Sequence, residues 1–202
     1  MNEVKKKGSY APLWILLALS AFPYIAGTLY FQFRDNLPQG QTSNYGELVQ
    51  PARELPDAEL MQADGTQTRF SDYRKKWLML YVLDGSCEED CRKNLYYMRQ
   101  IRKAMAEDRF RINRLLLVER PGGIDAELVQ LLSDYPGVDI ATLGASSKPS
   151  FYAKVRDKAQ NNFGKILLID PMGNYMMKYD PQPDPEKVLK DIKKLLSISR
   201  IG

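Results

Sequence analysis

The sequence predicts an α/β fold, a mixed β-sheet flanked by helices, with one transmembrane helix at the N-terminus. Three observations support this prediction. One apolar segment of membrane-spanning length lies at residues 10–33. After residue 55, short apolar runs typical of strands alternate with amphipathic stretches typical of helices. Two further strands and a last helix close the chain, so the sheet should contain antiparallel as well as parallel pairs.

Residues 10–33 predict a single membrane anchor. A helix of about 22 residues is roughly 33 Å long, which spans a bilayer core. A cleavable signal peptide would have a shorter apolar core that ends at small residues, whereas here aromatic residues continue past Ala26 and Gly27. Lys5, Lys6 and Lys7 precede the segment, so we expect residues 1–9 to be cytoplasmic and the rest to lie beyond the membrane. In a bacterium this is a single-pass inner-membrane protein with a periplasmic domain.

Residues 34–54 are rich in Gln, Asn, Ser, Gly and Pro and lack apolar periodicity, which indicates a linker. Within it, residues 45–49 are candidates to pack on the folded domain. That domain should occupy residues 55–202 and begin with a hairpin, because short strand-like runs flank the turn at Asp64 and Gly65. A short helical turn at residues 71–74 then leads to the next strand.

The remaining elements follow from the spacing of apolar residues. Strands are predicted at 77–83, 111–119, 138–143, 165–169 and 174–179. Helices are predicted at 88–106, 124–133, 149–158 and 184–197. The closing helix should turn its aliphatic residues inward, and the turn between the last two strands is the Asp-Pro-Met-Gly sequence at 170–173.

Composition limits the chemistry of this chain. Its formal charge of +4 is small, and basic and acidic residues are interspersed, so we expect no nucleic-acid partner. The chain has no histidine, which excludes histidine-dependent nucleophilic catalysis and histidine-based zinc sites. Its two cysteines, Cys87 and Cys91, suffice for one dithiol, one disulfide or two soft metal ligands.

Both cysteines lie where a strand meets a helix. The apolar run 77–83 ends at the turn residues 84–86, Cys87 follows at once, and Cys91 lies in the first turn of a charged helical segment. If Cys87 lies outside the regular helix, the two sulfurs can reach bonding distance. This arrangement is typical of thioredoxin-like redox and metal sites. The alternative that the sequence alone leaves open is a structural disulfide, or two unreactive small side chains.

The soluble part resembles the Sco family, membrane-anchored thioredoxin-fold proteins of cytochrome oxidase assembly. The matching stretches are 55–65, 70–73, 77–91, 168–173 and 195–202. The resemblance implies a thioredoxin-like domain, a C-x-x-x-C site at Cys87 and Cys91, and copper(I) as the metal that these sulfurs would bind. It also implies that the partner is a cytochrome oxidase subunit or another periplasmic thiol protein.

The chain departs from that family at three positions. Arg92 stands where the family has proline after the second cysteine. Asn162 stands near the place of the family's third copper ligand, a histidine. No proline directly precedes the strand at 165–169, so the substrate-binding proline of thioredoxin-type enzymes is absent as well. Thioether sulfurs in the last hairpin are alternative ligands, although methionines in a strand more often serve packing. They belong to Met172, Met176 and Met177.

These observations lead to one hypothesis and two alternatives. The hypothesis is thiol–disulfide exchange in oxidase assembly, with Cys87 as the attacking thiol and Cys91 as the resolving thiol. The first alternative is a copper(I) chaperone that uses Cys87 and Cys91 with a nonstandard third ligand. The second is an assembly scaffold that keeps the fold without the chemistry.

Overall fold

The computed structural model describes residues 10–33, 43–119, 123–157, 161–199 and 201. The chain divides into two compact units, one up to Ser43 and one from Asn44 onward. The first unit contains helix α1 (Ala11–Phe33), which is long and apolar enough to cross a membrane and has Pro23 inside it. Its 23 residues correspond to roughly 35 Å, as the sequence predicts. The expected cytoplasmic segment, residues 1–9, lies outside the described residues.

The second unit is a mixed sheet with helices on both faces, which confirms the predicted fold class. Its strands within the described residues are β1 (Glu47–Glu54), β2 (Glu59–Gln62), β3 (Gln67–Arg69), β4 (Trp77–Leu83), β5 (Ile112–Val118), β6 (Asp139–Leu143), β7 (Ile166–Ile169) and β8 (Asn174–Tyr179). The helices of this unit are α2 (Glu89–Ala104), α3 (Ala126–Leu132), α4 (Lys148–Val155) and α5 (Pro185–Ile198).

The eight strands form one sheet in the order β1-β8-β7-β4-β5-β6-β2-β3. Strands β4, β5 and β6 are parallel, and the other neighbours are antiparallel. Every residue of β4 is buried, because helices cover this central strand on both sides. Its alternate residues therefore belong to two cores. Trp77, Met79, Tyr81 and Leu83 face the core with α2, α3 and α5, whereas Leu78, Leu80 and Val82 face the core with α4.

The structure shortens the expected linker. Residues 47–54, predicted as part of a tether, form the edge strand β1, which pairs antiparallel with β8. Val49 is the one buried residue of this strand. The sequence of β1 therefore lacks the alternation of apolar and polar residues by which a half-buried strand is predicted. Backbone pairing and ion pairs hold the strand instead. The rest of the expected linker falls mainly on residues 34–42, which lie outside the described part of the chain.

The other predicted elements are present within a few residues of their expected bounds. Helix α2 was predicted to continue to residue 106, but it ends at Ala104. Ala106 has a φ of 51°, a left-handed conformation through which an α-helix cannot continue, and a 3-10 turn at Ala106–Arg111 follows instead. A short 3-10 turn at Phe70–Tyr73 occupies the place of the predicted helical turn and buries Phe70 and Tyr73.

Candidate functional site

The loop between β4 and α2 places Cys87 just before a helix. Strand β4 ends at Leu83, and α2 begins at Glu89 after the cap residue Glu88, whose backbone is extended. Gly85 has a φ of 107°, a conformation that side chains rarely adopt, and this turn redirects the chain towards the helix. Cys87 therefore lies outside the regular helix, as the sequence predicts.

Cys87 and Cys91 are joined in a disulfide. Their sulfurs are 1.91 Å apart and their Cα atoms 5.1 Å apart. Cys91 is 4% exposed because it lies on the inward face of α2 with Leu95 and Met98. Cys87 is only partly buried and packs against the edge of the same core. The structure thus brings the two predicted cysteines together and makes them unequal in access.

A cleft of about 180 Å³ opens beside Cys87. The N-terminal end of α2 forms one wall, and α3 forms the other. The cleft is lined by Ser86, Cys87, Glu88, Arg92, Asp125, Glu127, Leu128 and Leu131. The exposed half of the disulfide therefore borders a concave surface that a partner's side chain can enter.

The acidic residues between the cysteines point in different directions. Glu89 pairs with Lys93 at 2.7 Å, and this hydrogen bond lowers the pKa of the Glu89 carboxyl. Asp90 accepts a hydrogen bond of 2.6 Å from the side chain of Gln182. Glu88 lines the cleft. Of the three carboxylates, Glu88 is the one that borders the cleft with Cys87.

Arg92 follows Cys91 where the Sco family usually has proline. Its Nε donates a hydrogen bond of 3.3 Å to the backbone carbonyl of Cys87. The side chain also lines the cleft, so it adds one positive charge to a wall that carries Glu88, Asp125 and Glu127. A proline could supply neither the hydrogen bond nor the charge.

Asn162, the residue near the place of the expected third ligand, belongs to another part of the molecule. It is fully buried, and its amide donates to Val155 O at 2.8 Å and to Asp157 Oδ2 at 2.9 Å. Both acceptors belong to the end of α4 and the residues after it, on the face of the sheet opposite to α2. Its side-chain amide therefore bonds to this layer and not to the cysteines.

The three methionines of the last hairpin lie in three different environments. Met172 is 65% exposed, Met176 packs at the edge of the core, and Met177 is buried beside Gly46. Within the described residues, no group of three or more cysteine and carboxylate side chains could hold a metal ion. After reduction, the soft donors at the site are the two thiolates of Cys87 and Cys91.

The cleft wall on α3 was not predicted from the sequence. Asp125 caps α3 by accepting a hydrogen bond from Leu128 N at 2.8 Å, which positions this helix start. A signal was present, because α3 follows β5 and the carboxyl ends of parallel strands meet at one edge of a sheet. The loops after β4 and β5 therefore had to be neighbours.

Comparison with known proteins agrees with this fold. Residues 77–199 match the protein family described as transmembrane-like, thioredoxin-like, C-terminal domain. No curated protein matches the sequence of the chain. Several solved structures resemble it at low sequence identity.

Three of these structures illustrate the likeness. ScoI of Bradyrhizobium japonicum with copper bound is 16% identical, with a TM-score of 0.56 over 70% of this chain and 98% of that one. A thiol:disulfide interchange protein from Bacteroides sp. is 12% identical, with a TM-score of 0.54 over 74% and 91%. BsSco, described with a disulfide switch as a member of the Sco family of cytochrome c oxidase assembly proteins, is 13% identical, with a TM-score of 0.55 over 74% and 96%. At these identities the likeness shows the fold.

Proposed function

The chain belongs to the family of the transmembrane-like, thioredoxin-like C-terminal domain, and from this premise we propose that it is a membrane-anchored thiol–disulfide exchange protein. The observation that carries the proposal is the unequal access of the two bonded sulfurs. Cys87 borders an open cleft, whereas Cys91 is 4% exposed on the inward face of α2. A partner protein can therefore approach Cys87, whereas the buried Cys91 is placed to act as the resolving thiol.

In the reduced protein, the Cys87 thiolate attacks one sulfur of a partner disulfide. A bond forms between Cys87 Sγ and that sulfur, the partner's disulfide breaks, and its second sulfur leaves as a thiolate that takes a proton from water. The Cys91 thiolate then attacks Cys87 Sγ, which forms the intramolecular disulfide and releases the partner's first sulfur. Two electrons pass to the partner, which becomes a dithiol. The reverse sequence oxidises a partner dithiol.

The helix start assists this exchange. The first amide groups of α2 carry no intrahelical partner, and the positive end of the helix favours a thiolate there. Glu88 opposes this effect because its negative charge borders the same cleft. The two effects therefore act on the Cys87 thiolate in opposite directions.

The setting that fits this chemistry is the outer side of a bacterial inner membrane, and the process is cytochrome oxidase assembly. Three lysines precede α1, which favours a cytoplasmic N-terminus and a periplasmic domain. Disulfides persist in that compartment. The oxidase role is supported by the resemblance in fold to proteins named Sco and by the sequence stretches shared with that family.

The test of the exchange mechanism uses two single variants of the full chain. Glutathione disulfide is the probe. With Cys91→Ser, a stable mixed disulfide should accumulate on Cys87, because the resolving thiol is gone. With Cys87→Ser, the buried Cys91 should form the adduct at least about tenfold more slowly, since thiol reactivity follows exposure. Mass spectrometry measures the adduct over time, and the double variant Cys87→Ser/Cys91→Ser is the blank.

Equal rates for the two single variants would contradict the assigned roles, and the absence of any adduct would contradict the exchange mechanism. The oxidase role has a separate readout. Deletion of the gene should lower cytochrome oxidase activity of membranes, and the wild-type chain should restore it. Full restoration by the double cysteine variant would instead favour the scaffold without chemistry.

Delivery of copper(I) as cargo is a second candidate. The specific observation in its favour is the pair of sulfurs within bonding distance at an accessible cleft, in a fold shared with a copper-bound ScoI. Copper(I) tolerates two thiolate ligands. Titration of the reduced protein with copper(I) separates the two candidates. One tightly bound ion per chain, lost in either single cysteine variant, would favour the chaperone. If no ion binds tightly, thiol–disulfide exchange remains the one proposed function.

A further inference from the structure

Three arginines converge where α2 crosses the beginning of β5. Arg99 and Arg102 lie three residues apart, on one face of α2. Arg114 is the third residue of β5, and it pairs with Met79 of β4. Its neighbours at alternate positions, Ile112 and Leu116, belong to the core beneath α2. A guanidinium therefore occupies an apolar row that faces this helix.

The nitrogen atoms of Arg114 are only partly satisfied. The residue is 2% exposed, and its Nη2 donates a hydrogen bond of 2.6 Å to Pro136 O. Its Nε and Nη1 are buried and have no hydrogen-bond acceptor among the described residues. The Nε of Arg99 is buried in the same unsatisfied way. Leaving a buried charged donor without a partner is unfavourable, because the donor has lost its hydrogen bonds to water.

The charges around Arg114 make its burial more costly. Its pKa is lowered to about 10, first by burial and then by the positive charges of Arg102 and Arg99. Asp139 is the acidic side chain that acts on it, and its effect is smaller than that of either arginine. The carboxyl of Asp139 lies beside the hydroxyl of Tyr73, which belongs to the opposite core. The two positive charges that act on Arg114 therefore outweigh the one carboxylate that acts on it.

We propose that Arg99, Arg102 and Arg114 form a binding site for a phosphate-type oxyanion. Such a group offers several acceptor oxygens and at least one negative charge, which match the forked donors of arginine. Arg99 and Arg102 are partly exposed and lead from solvent to the buried Arg114. Arg102 is held in place because its Nε donates to Ile112 O at 3.0 Å.

Gly137 permits this arrangement. Its φ is 80°, and a Cβ atom at this position would lie 3.1 Å from Arg114 Nη2. The loop between α3 and β6 can therefore close on the guanidinium while Pro136 accepts its hydrogen bond. This leaves Nε and Nη1 of Arg114, on different edges of the guanidinium, without an acceptor among the described residues.

The site is separate from the cysteines. Arg114 is opposite Met79 in the parallel pair of β4 and β5, whereas Cys87 follows the other end of β4 at Leu83. The four residues from Met79 to Leu83 span about 13 Å. Anion binding consequently does not depend on the proposed thiol exchange, and either can fail without the other.

Free phosphate and the headgroup of a phosphatidic lipid present the same chemistry, so the experiment has two arms. The full chain in an uncharged detergent is heated with sodium phosphate, or with a short-chain phosphatidic acid, against sodium chloride of equal ionic strength. At 100 times the dissociation constant, a ligand lowers the unfolding equilibrium constant about 100-fold, so the midpoint of the wild type should rise. A rise in the lipid arm alone assigns the site to a headgroup.

Two variants and one control make the result specific. Arg99→Gln should lose most of the rise. Arg114→Met should lose it all and should be as stable as the wild type in chloride, because an apolar side chain replaces an unbalanced buried charge. Arg109→Gln, an exposed arginine stacked on Phe110, should keep the full rise. No rise above chloride in either arm, or an equal rise in all four proteins, would overturn the site.

Discussion

Asp157 shows how one carboxylate can bind together distant parts of this chain. It pairs with Arg53 of β1 and with Lys178 of β8, and it accepts a hydrogen bond from Asn162. Lys178 is only 8% exposed in its side chain, so its charge depends on Asp157 and on the more exposed Glu47. The residue that the family resemblance suggested as a metal-ligand position, Asn162, thus contributes to a structural ion-pair network.

Replacing Asp157 should destabilise the protein strongly. Asp157→Asn leaves the buried Lys178 and the half-buried Arg53 without their shared counter-charge, and we expect the free energy of unfolding to fall by about 3 kcal/mol. Urea unfolding of the full chain measures this loss. Asp57→Asn is the matched control, because Asp57 pairs with an exposed arginine, Arg69, and should matter much less. Equal losses for both variants would contradict the role assigned to the network.

The same residue predicts the acid sensitivity of the fold. Burial raises the pKa of Asp157, but hydrogen bonds from Asn162, Lys178 and Arg53 outweigh this and hold its pKa well below the usual range. A carboxyl with a depressed pKa in the folded state stabilises the protein above its unfolded pKa of about 3.9 and ceases to do so as the pH falls towards its folded pKa. Stability should therefore drop between about pH 5 and pH 2. Asp157→Asn should show a shallower drop.

At the scale of an element, strand β1 is held by its ends and by its backbone. Beyond Arg53 and Glu47, the segment just before β1 is fixed by Asp191 of α5, which is 3% exposed. Its carboxylate accepts hydrogen bonds from Tyr45 N at 2.9 Å and from Gly46 N at 2.8 Å. The closing helix therefore anchors the point at which the folded unit begins.

Gly46 should be essential to this attachment. A Cβ atom there would lie 2.6 Å from Met177 Sδ and 2.7 Å from the ring of Tyr179, both buried. Gly46→Ala should force these side chains apart and lower the free energy of unfolding by about 2 kcal/mol. Hydrogen exchange of the β1 amides should quicken. In the double variant Gly46→Ala/Met177→Ala, the smaller side chain creates space, and slow hydrogen exchange should be restored in part. If Gly46→Ala alone changes neither the stability nor the exchange rate, the close packing around Gly46 is refuted.

At the scale of the whole molecule, the disulfide lies at the edge of a large core rather than supporting it. The closed loop contains only five residues, so reduction should cost at most about 2 kcal/mol in chain entropy. We predict that the reduced protein keeps its fold. Urea unfolding with and without a phosphine reductant measures the difference. Unfolding of the domain on reduction alone would identify the bond as structural, and would contradict a catalytic cycle between two folded forms.

Much of this fold was predictable because its central elements have strong local signals. Strand β4 is seven apolar residues, α2 and α5 have clear helical periodicity, and Gly85 and Gly173 mark turns. Edge strand β1 has no such signal, since one buried residue in eight does not make a pattern. The basic cluster has no local signal either, because Arg114 interrupts an apolar strand and comes near the arginines of α2 only in the folded chain.

The sequence by itself determined the membrane-spanning length of α1, the order of strands and helices from β2 onward, and the position of both cysteines at a strand–helix junction. These follow from periodicity and turn residues, which act over a few positions of the chain. Only the tertiary structure decided that Cys87 borders a cleft, that Asn162 belongs to an ion-pair network and that three arginines meet. Such contacts join residues far apart in the chain, and they depend on how strands pair and helices pack, which local sequence does not encode.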